Sequence, residues 1–478
     1  MGASTGNTNV GLTVRGDLMM TGVAATATRQ IDRAQWRVII LSSLGGALEF
    51  YDFVVFSTFA QYLSGAFFPS SDPTTGLLKT FLTFAAGYVA RPVGGVVFAH
   101  FGDKYGRRPV LIVSMLLMSV ATVGIGLLPG YASWGIAAPI GLVLLRILQG
   151  FSLGGELPGA ITYVLETAPR RGGFVAGFVF FCVNTGVAIA AILNLTLQHT
   201  IGSAGIAAGG WRIGFIVGGL LGIVSFWLRL SLEETTEYKK LKHLASKRPF
   251  AELMRSAPVA ALVGVGALTC TAGFNGLLFA MPSFLPTVMH YTPAQAAGAQ
   301  NVGLLVLSFG LLTTAWLGDR MPRRYLLGFG AFIMMILAFP FFSALAARSM
   351  NLYGLFALAG LAASFVNGPM CALVGDLYAT RLRFSGVAVS FNMAFSIFTG
   401  IAPLAATYLA RAYSLAAPAY YMAGCAFITL VATLVVKHFD GRILGELTYP
   451  ASSPVPGSGG AINGVGLPVA GICGEIRK

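Results

Sequence analysis

Long apolar segments alternate with short polar stretches along most of the chain. A helix needs about 20 predominantly apolar residues to cross a bilayer, and twelve segments approach or exceed that length. The pattern predicts an all-α membrane protein with twelve transmembrane helices. The predicted spans, numbered 1 to 12 in chain order, are residues 35–63, 77–101, 109–128, 135–158, 174–198, 212–230, 258–286, 295–317, 325–346, 352–375, 384–410 and 418–437.

The spans fall into two sets of six that share a motif. GDKYGRRP at 102–109 returns as GDRMPRRY at 318–325, in each case between the second and third spans of its set. Parallel halves with a binding site between them are a recurring plan of transporters. The sequence therefore predicts a polar, disordered N-terminal tail (1–34), an N-terminal six-helix half (35–230), a central cytoplasmic loop (231–257), a C-terminal six-helix half (258–437) and a disordered C-terminal tail rich in Gly, Pro and Ser (438–478).

Composition and charge agree with a membrane protein and disfavour a nucleic-acid-binding one. Hydrophobic residues make up 56% of the 478 residues and charged residues only 10%, with a formal net charge of +14. Most basic residues between the spans sit in the loops after the even-numbered spans, and they form no continuous face with interleaved aromatics. Since positively charged loops stay in the cytoplasm, both termini are predicted to be cytoplasmic.

Ionisable residues inside the first two spans are candidates for proton handling. Glu49 and Asp52 lie three residues apart in GALEFYDF, and Arg91 lies in GYVARPVGG. Residues three apart share one face of a helix, and mutual repulsion with desolvation favours protonation of at least one such carboxylate. The two acids are therefore interpreted as able to share or relay a proton. Neutralisation of Arg91 by one of them is an equally good interpretation.

The fourth span carries a polar stripe. Arg146, Gln149 and Glu156, in RILQGFSLGGE, fall within about 80° of each other around the helix and extend over about 15 Å of depth. Because charge in hydrocarbon is costly, the stripe is expected to face protein or a watery cavity, and a buried structural Arg–Glu pairing is the alternative. Gly150 and Gly154 in the same segment are interpreted as sites of close helix packing.

The second half offers amides where the first has charges. Such amides are more often interhelical hydrogen-bonding groups than ligand contacts, but they also provide candidates for a hydrogen-bonding cavity. We therefore expect charge handling in the N-terminal half and shape and hydrogen bonding from the C-terminal half. The candidate cavity amides are Asn275, Asn301, Asn367 and Asn392, with Asn184 in the first half.

Several motifs, in one order, resemble the metabolite:proton symporters of the major facilitator superfamily, which include citrate, 2-oxoglutarate, shikimate and proline/betaine carriers. They are LEFYDF, ARPVGGVVFAHFGDKYGRRP, RILQGFSLGGE, LEETTEY and DLYATRLRFSG running into FNMAFSIFTGIAP. The resemblance implies the major facilitator fold, a bacterial inner-membrane location and a role for Arg146 in proton coupling or substrate binding. It also implies a cytoplasmic gate formed by Asp103, Gly106, Arg107 and Arg108. Departures from the family pattern include Phe50, Ala99, Leu157, Pro158 and Pro322.

The residues and the resemblance together suggest a transporter rather than an enzyme. The expected function is proton-coupled symport of a small organic acid, a di- or tricarboxylate or a shikimate-like anion, by alternating access. The protein is expected to be a monomer surrounded by lipid, with the proton as coupling ion and no cofactor or metal. The chain contains no nucleotide-binding loop, HExxH motif or cysteine–histidine cluster. Uptake of a zwitterion such as betaine or proline, export of a metabolite or drug, and a non-transporting sensor are the alternatives.

Overall fold

Twelve membrane-spanning helical segments make up the structure, a computed structural model that describes residues 33–105, 107–167, 171–230, 249–378 and 380–436. Ten helical segments in these ranges are long and apolar enough to cross a membrane, and spans 1 and 3 complete the twelve. The predicted fold class is confirmed. The spans comprise Arg33–Thr58 with Ala60–Phe67, Pro73–Tyr105, Arg107–Leu127, Ala137–Leu153 with Glu156–Thr167, Gly172–Thr200, Trp211–Leu230, Pro258–Val288, Pro293–Leu317, Arg323–Ala347, Leu352–Asn367 with Met370–Asp376, Thr380–Ala394 continuing through Phe395–Thr399 to Gly400–Ala412, and Pro418–Val436.

Short helices occupy several connections between the spans. Tyr131–Trp134 precedes span 4, and Gly202–Gly205 with the π-turn Ile206–Gly210 precedes span 6. In the central segment, Pro249–Ser256 is helical, whereas residues 231–248 lie outside the described residues, as do most of both predicted tails. Because the spans alternate in direction, the described chain ends lie on one side of the membrane, here called the terminal face. The opposite side is called the distal face.

Helix backbones approach closely where glycines face each other. A Cβ on Gly150 would lie 1.7 Å from the carbonyl oxygen of Gly87, so spans 2 and 4 are in backbone contact. A Cβ on Gly186 would lie 1.8 Å from the carbonyl oxygen of Ala47, which places spans 1 and 5 in the same relation. Because lipid tails are as apolar as side chains, such close packing is a main source of helix association in membranes.

Spans 4, 10 and 11 are interrupted. Span 4 breaks between Leu153 and Glu156, and its second piece reaches Thr167, nine residues beyond the predicted end at 158. Span 10 breaks at Gly368–Pro369. In span 11, a π-turn over Phe395–Thr399 precedes Pro403, which cannot donate the usual helical hydrogen bond.

Prolines within the spans leave backbone carbonyls that side chains of neighbouring spans then satisfy. Pro92 has no N–H for the carbonyl of Tyr88, four residues earlier, and the Ser396 hydroxyl of span 11 donates to that carbonyl at 2.6 Å. Pro282 likewise frees the carbonyl of Leu278, which accepts from Nε2 of Gln300 at 2.9 Å. A buried carbonyl without a donor is costly in hydrocarbon, so each of these bonds replaces a missing helical one.

A second bond of this kind comes from Asn392, one helical turn before Ser396 on span 11. Pro158 provides no N–H for the carbonyl of Gly154, and Nδ2 of Asn392 donates to it at 2.7 Å. Asn392 and Ser396 are four residues apart and so lie on one face of span 11. This face of the C-terminal half is therefore bonded to spans 2 and 4 of the N-terminal half, across the interface between the halves, which we call the seam.

The Ser396–Tyr88 bond makes a testable prediction about stability. Ser396→Ala should destabilise the protein by about 1–3 kcal/mol, because it leaves the buried Tyr88 carbonyl without a donor. Pro92→Ala in the same chain should recover part of this loss, because it restores the backbone N–H. The measurement is thermal unfolding in detergent. Ser308→Ala is the matched control, since the Ser308 hydroxyl donates to the carbonyl of Leu304 in its own helix. Equal losses for the single and double variants would contradict the proline explanation.

Candidate functional site

A buried arginine lies inside the N-terminal half. Arg146 of span 4 is 0% exposed. Its Nη1 donates to the carbonyl oxygen of Phe53 at 3.1 Å and to Oε1 of Gln149 at 2.9 Å. Its Nε and Nη2 have no hydrogen-bond partner among the described residues. The Nη1 group of the guanidinium is therefore held by protein, whereas the N–H donors of the Nε–Nη2 edge are not used by the described residues.

Aromatic rings surround this guanidinium. Its Cζ lies 3.8 Å from the ring centroid of Phe53, 4.6 Å from that of Phe56 and 4.9 Å from that of Phe84. A cation over aromatic faces is attracted by the ring quadrupole, most strongly where water is excluded. The three phenylalanines, here called the aromatic cage, thus stabilise a charge that hydrocarbon alone would not tolerate.

Gln149 connects Arg146 to the third span. Nε2 of Gln149 donates to Oγ1 of Thr122 at 2.8 Å, and the Thr122 hydroxyl donates to the carbonyl oxygen of Met118 at 2.9 Å. Both side chains are fully buried. Two residues of the predicted polar stripe, Arg146 and Gln149, are thus in direct contact. Thr122 was missed because an ordinary threonine inside an apolar span carries no sequence signal.

Asp52 is buried at 2% exposure and borders spans 3 and 6. A Cβ on Gly218 of span 6 would lie 2.4 Å from its Oδ1 and 2.9 Å from the methyl group of Thr122. A Cβ on Gly222 would lie 2.1 Å from the Ser119 hydroxyl and 3.7 Å from Oδ2 of Asp52. The two glycines therefore leave the space that this carboxyl group occupies, next to the Gln149–Thr122 connection.

Arg91 is fully buried on span 2, beside Tyr88. Its Cζ lies 5.7 Å from the Tyr88 ring centroid and 5.8 Å from that of Phe395 in the C-terminal half. The Tyr88 ring packs edge-on against Phe53 at 4.7 Å, and its hydroxyl has no hydrogen-bond partner among the described residues. Tyr88 thus lies between Arg91 and the aromatic cage. The sequence signal for it was its position three residues before Arg91.

The candidate amides take different positions. Asn392 bonds across the seam, as described above, and Nδ2 of Asn275 donates to Oδ1 of Asn367 at 3.4 Å within the C-terminal half. Asn301 donates to the carbonyl oxygen of Ala297 in its own helix at 2.9 Å. Asn184 is buried on span 5, and its Nδ2 has no partner among the described residues. The structure therefore does not gather the five amides into one group with Arg146.

The side chains of the remaining predicted site residues lie outside the described residues. Glu49 and Glu156 lie in helices, but their side chains are outside the described residues. The same holds for Asp103, Arg107 and Arg108 of the expected gate, and Gly106 is itself outside the described residues. Their roles stay predictions.

The second-half copy of the loop motif joins the halves at the terminal face. The Asp319 carboxylate accepts from the backbone N–H groups of Gly173 and Phe174 at 2.7 and 2.8 Å. These groups belong to the first turn of span 5, which has no helical acceptor for them and favours a negative charge. Arg323 donates to Asp319 at 2.9 Å and also pairs with Asp376. The sequence did not single out Asp319, although its place in the GDRMPRRY repeat was the available signal.

An ion pair joins the halves at the distal face. Arg411, near the end of span 11, donates to Oδ2 of Asp72 at 2.8 Å and to Oγ1 of Thr75 at 2.7 Å. Hydrogen bonds from the Thr75 side chain and the Thr74 backbone, with the charge of Arg411, lower the pKa of Asp72. Because its pKa is lowered, the Asp72 carboxylate stays charged at and above the ordinary pKa of an aspartate. The pair breaks only as the pH falls through the lowered pKa and the carboxylate is protonated.

A cavity of about 100 Å³ lies in the C-terminal half, away from Arg146. It is lined by apolar side chains of spans 7, 9, 10 and 12, among them Phe274, Met334, Phe356 and Met422. This lining offers nothing to a charged ligand, so the region around Arg146 is the better candidate site.

Two six-span halves that share a hydrogen-bonded seam, with buried charges inside the first half, are the arrangement of a membrane carrier. The sequence model of the Major Facilitator Superfamily matches residues 42–392. The chain belongs to the Major Facilitator Superfamily, as the motifs predicted, and it is a multi-pass membrane transporter, not an enzyme.

Comparison with known proteins shows which transporters the chain is similar to. It is 32% identical over 435 residues to the proline/betaine transporter of Escherichia coli, and the alignment covers 88% of this chain and 86% of that protein. It is 32% identical to the citrate-proton symporter of Klebsiella pneumoniae over 404 residues, 83% of this chain and 90% of that protein. A crystal structure of a D-xylose-proton symporter has the same fold, with a TM-score of 0.67 at 18% identity over 85% of this chain and 98% of that one.

The Asp319 contact predicts how the terminal face opens. Asp319→Asn should shift the balance toward a state open at this face by roughly 10–100-fold, because charge-assisted bonds to span 5 are each worth about 1.5–3 kcal/mol. The measurement is labelling of a cysteine introduced at Ala315, which faces Gly177 of span 5. Asp376→Asn is the matched control, since Asp376 pairs with Arg323 inside the C-terminal half. Equal labelling rates in both variants would contradict a gating role for Asp319.

Proposed function

We propose that this transporter imports small organic acids, of the di- or tricarboxylate or shikimate-like class, together with protons by alternating access of its two halves. The observation that carries the proposal is the Nε–Nη2 edge of Arg146, which is buried and has no partner among the described residues. In this proposal the proton is the coupling ion, and no cofactor takes part.

The geometry of the arginine supports a carboxylate ligand. Nε–H and one Nη–H of a guanidinium point in parallel and match the two oxygens of a carboxylate. In Arg146 the Nη1 group is already engaged by Phe53 and Gln149. The edge that remains is the one that binds a carboxylate side-on. A dry, aromatic surrounding strengthens such a charge-assisted pair relative to water.

The proposed orientation follows from the charges of the loops. The connections after the even-numbered spans, which lie on the terminal face, carry most loop arginines and lysines. We therefore assign the terminal face to the cytoplasm and place the protein in a bacterial inner membrane as a monomer. In this orientation the expected gate at Asp103, Gly106, Arg107 and Arg108 and the Asp319 contact both lie on the cytoplasmic side.

A zwitterion such as betaine or proline is the second candidate substrate, and the aromatic cage favours it. Phe53, Phe56 and Phe84 now surround the guanidinium of Arg146. Aromatic cages also receive quaternary ammonium groups. A movement of Arg146 toward the carboxylate of a betaine would leave the rings for its cationic end. The proline/betaine transporter among the relatives supports this alternative.

Uptake into proteoliposomes tests the proposal. Citrate, 2-oxoglutarate, shikimate and glycine betaine are offered with and without an inward proton gradient, and accumulation of at least one acid under the gradient is expected. Arg146→Lys should raise the KM of that acid about tenfold or more, because an ammonium keeps the charge but loses the fork. Arg212→Lys is the control, since Arg212 binds the Leu128 carbonyl away from the seam. Accumulation of glycine betaine alone would favour the second candidate, and accumulation of none of the four would refute the import proposal.

A buried carboxyl group is the proposed proton carrier. Asp52→Asn should leave exchange of substrate across the membrane in place but remove the dependence of uptake on the proton gradient, because an amide cannot bind and release a proton at the pH of the assay. The ratio of gradient-driven uptake to exchange is the measurement. Gradient-driven accumulation at the wild-type level in Asp52→Asn would exclude this role and leave Glu49 as the predicted carrier.

A further inference from the structure

The donors and acceptors around Arg146 fix the direction of a short hydrogen-bond chain. A guanidinium only donates, so the side-chain amide of Gln149 must present its oxygen to Arg146, as it does at 2.9 Å. The NH₂ group of the same amide then needs an acceptor on its other side. The Thr122 hydroxyl oxygen, at 2.8 Å, is that acceptor.

Thr122 is suited to accept because its own proton is already engaged. Its hydroxyl donates to the carbonyl of Met118, one turn earlier on span 3, at 2.9 Å. The side chain is fully buried, so water does not compete for its lone pairs. The chain therefore runs in one direction, from Arg146 through Gln149 to Thr122 and the span 3 backbone.

We propose that Thr122 is a positioning residue for the substrate. By fixing the amide of Gln149, it holds the Nη1 side of Arg146 and so presents the Nε–Nη2 edge to the substrate carboxylate. This inference rests on the proposed function. Without the Thr122 oxygen, the NH₂ group of Gln149 loses its acceptor, and the amide is no longer fixed beside the guanidinium. Arg146 would lose an acceptor and with it the fixed orientation that a side-on carboxylate requires.

The valine variant removes only the group that matters. Thr122→Val keeps the methyl group that borders Gly218 next to Asp52, but it has no oxygen. Threonine and valine are similar in shape yet not equivalent in a buried hydrogen-bond chain. Thr122→Ser keeps the oxygen and loses the methyl group. The two variants therefore separate hydrogen bonding from packing.

Initial uptake rates in proteoliposomes test the inference, with whichever of citrate, 2-oxoglutarate, shikimate and glycine betaine the wild type accumulates. Thr122→Val should raise KM about tenfold, the effect of roughly 1.4 kcal/mol, with Vmax within about twofold of wild type. Thr122→Ser should return KM to within about twofold of wild type, because serine restores the acceptor. The split between KM and Vmax matters, since a merely structural defect would lower the amount of active protein and thus Vmax.

Two further variants complete the test. Thr269→Val is the matched control, because the hydroxyl of this buried threonine in the C-terminal half donates to Val265 of its own helix. Gln149→Leu removes the middle of the chain and should reproduce the KM effect if Thr122→Val fails to fold. An unchanged KM in Thr122→Val or, failing that variant, in Gln149→Leu would overturn the positioning role, as would a serine variant that behaves like valine. Absence of all uptake in the wild type would instead overturn the proposed function and this inference with it.

Discussion

The requirement that buried backbone groups find hydrogen-bond partners without water governs this structure. A proline in a transmembrane helix removes one donor and leaves a carbonyl that only a neighbouring helix can satisfy. Span 11 provides two such donors, Ser396 to the carbonyl of Tyr88 and Asn392 to that of Gly154. The two halves thus share hydrogen bonds that neither can make alone, and the seam is specified by backbone chemistry as well as by packing.

This constraint also explains why the halves differ in chemistry. Asn392 and Ser396 contribute to the seam from the C-terminal half as neutral donors, which cost little to move through a dry interface. Arg146 and Asp52 lie within the N-terminal half, where the aromatic cage and the space beside Gly218 and Gly222 accommodate them. A rigid movement of one half past the other can then exchange these neutral hydrogen bonds while Arg146 and Asp52 keep their surroundings within the N-terminal half.

The spans and the family were predictable because apolar length and motif order are properties of the chain itself. The contact between Arg146 and Gln149 was also predictable, since residues three apart lie on one face of a helix. The roles of Thr122 and Ser396 were not, because each depends on which helix lies opposite. The surroundings of the Asp52 side chain were equally unpredictable from the sequence. Periodicity places Asp52 on a face of span 1, but only the packing of spans 3 and 6 shows what that face meets.

The contacts at the two faces of the membrane bear on the conformation. Asp319 binds the first turn of span 5 at the terminal face, and Arg411 binds Asp72 at the distal face, so the described residues join the halves on both sides. The two contacts differ in strength. Asp319 is mostly buried and bonded to backbone donors, whereas Asp72 and Arg411 are both more than one-third exposed and therefore screened by solvent. Of these two contacts, the distal ion pair is therefore the cheaper one to break.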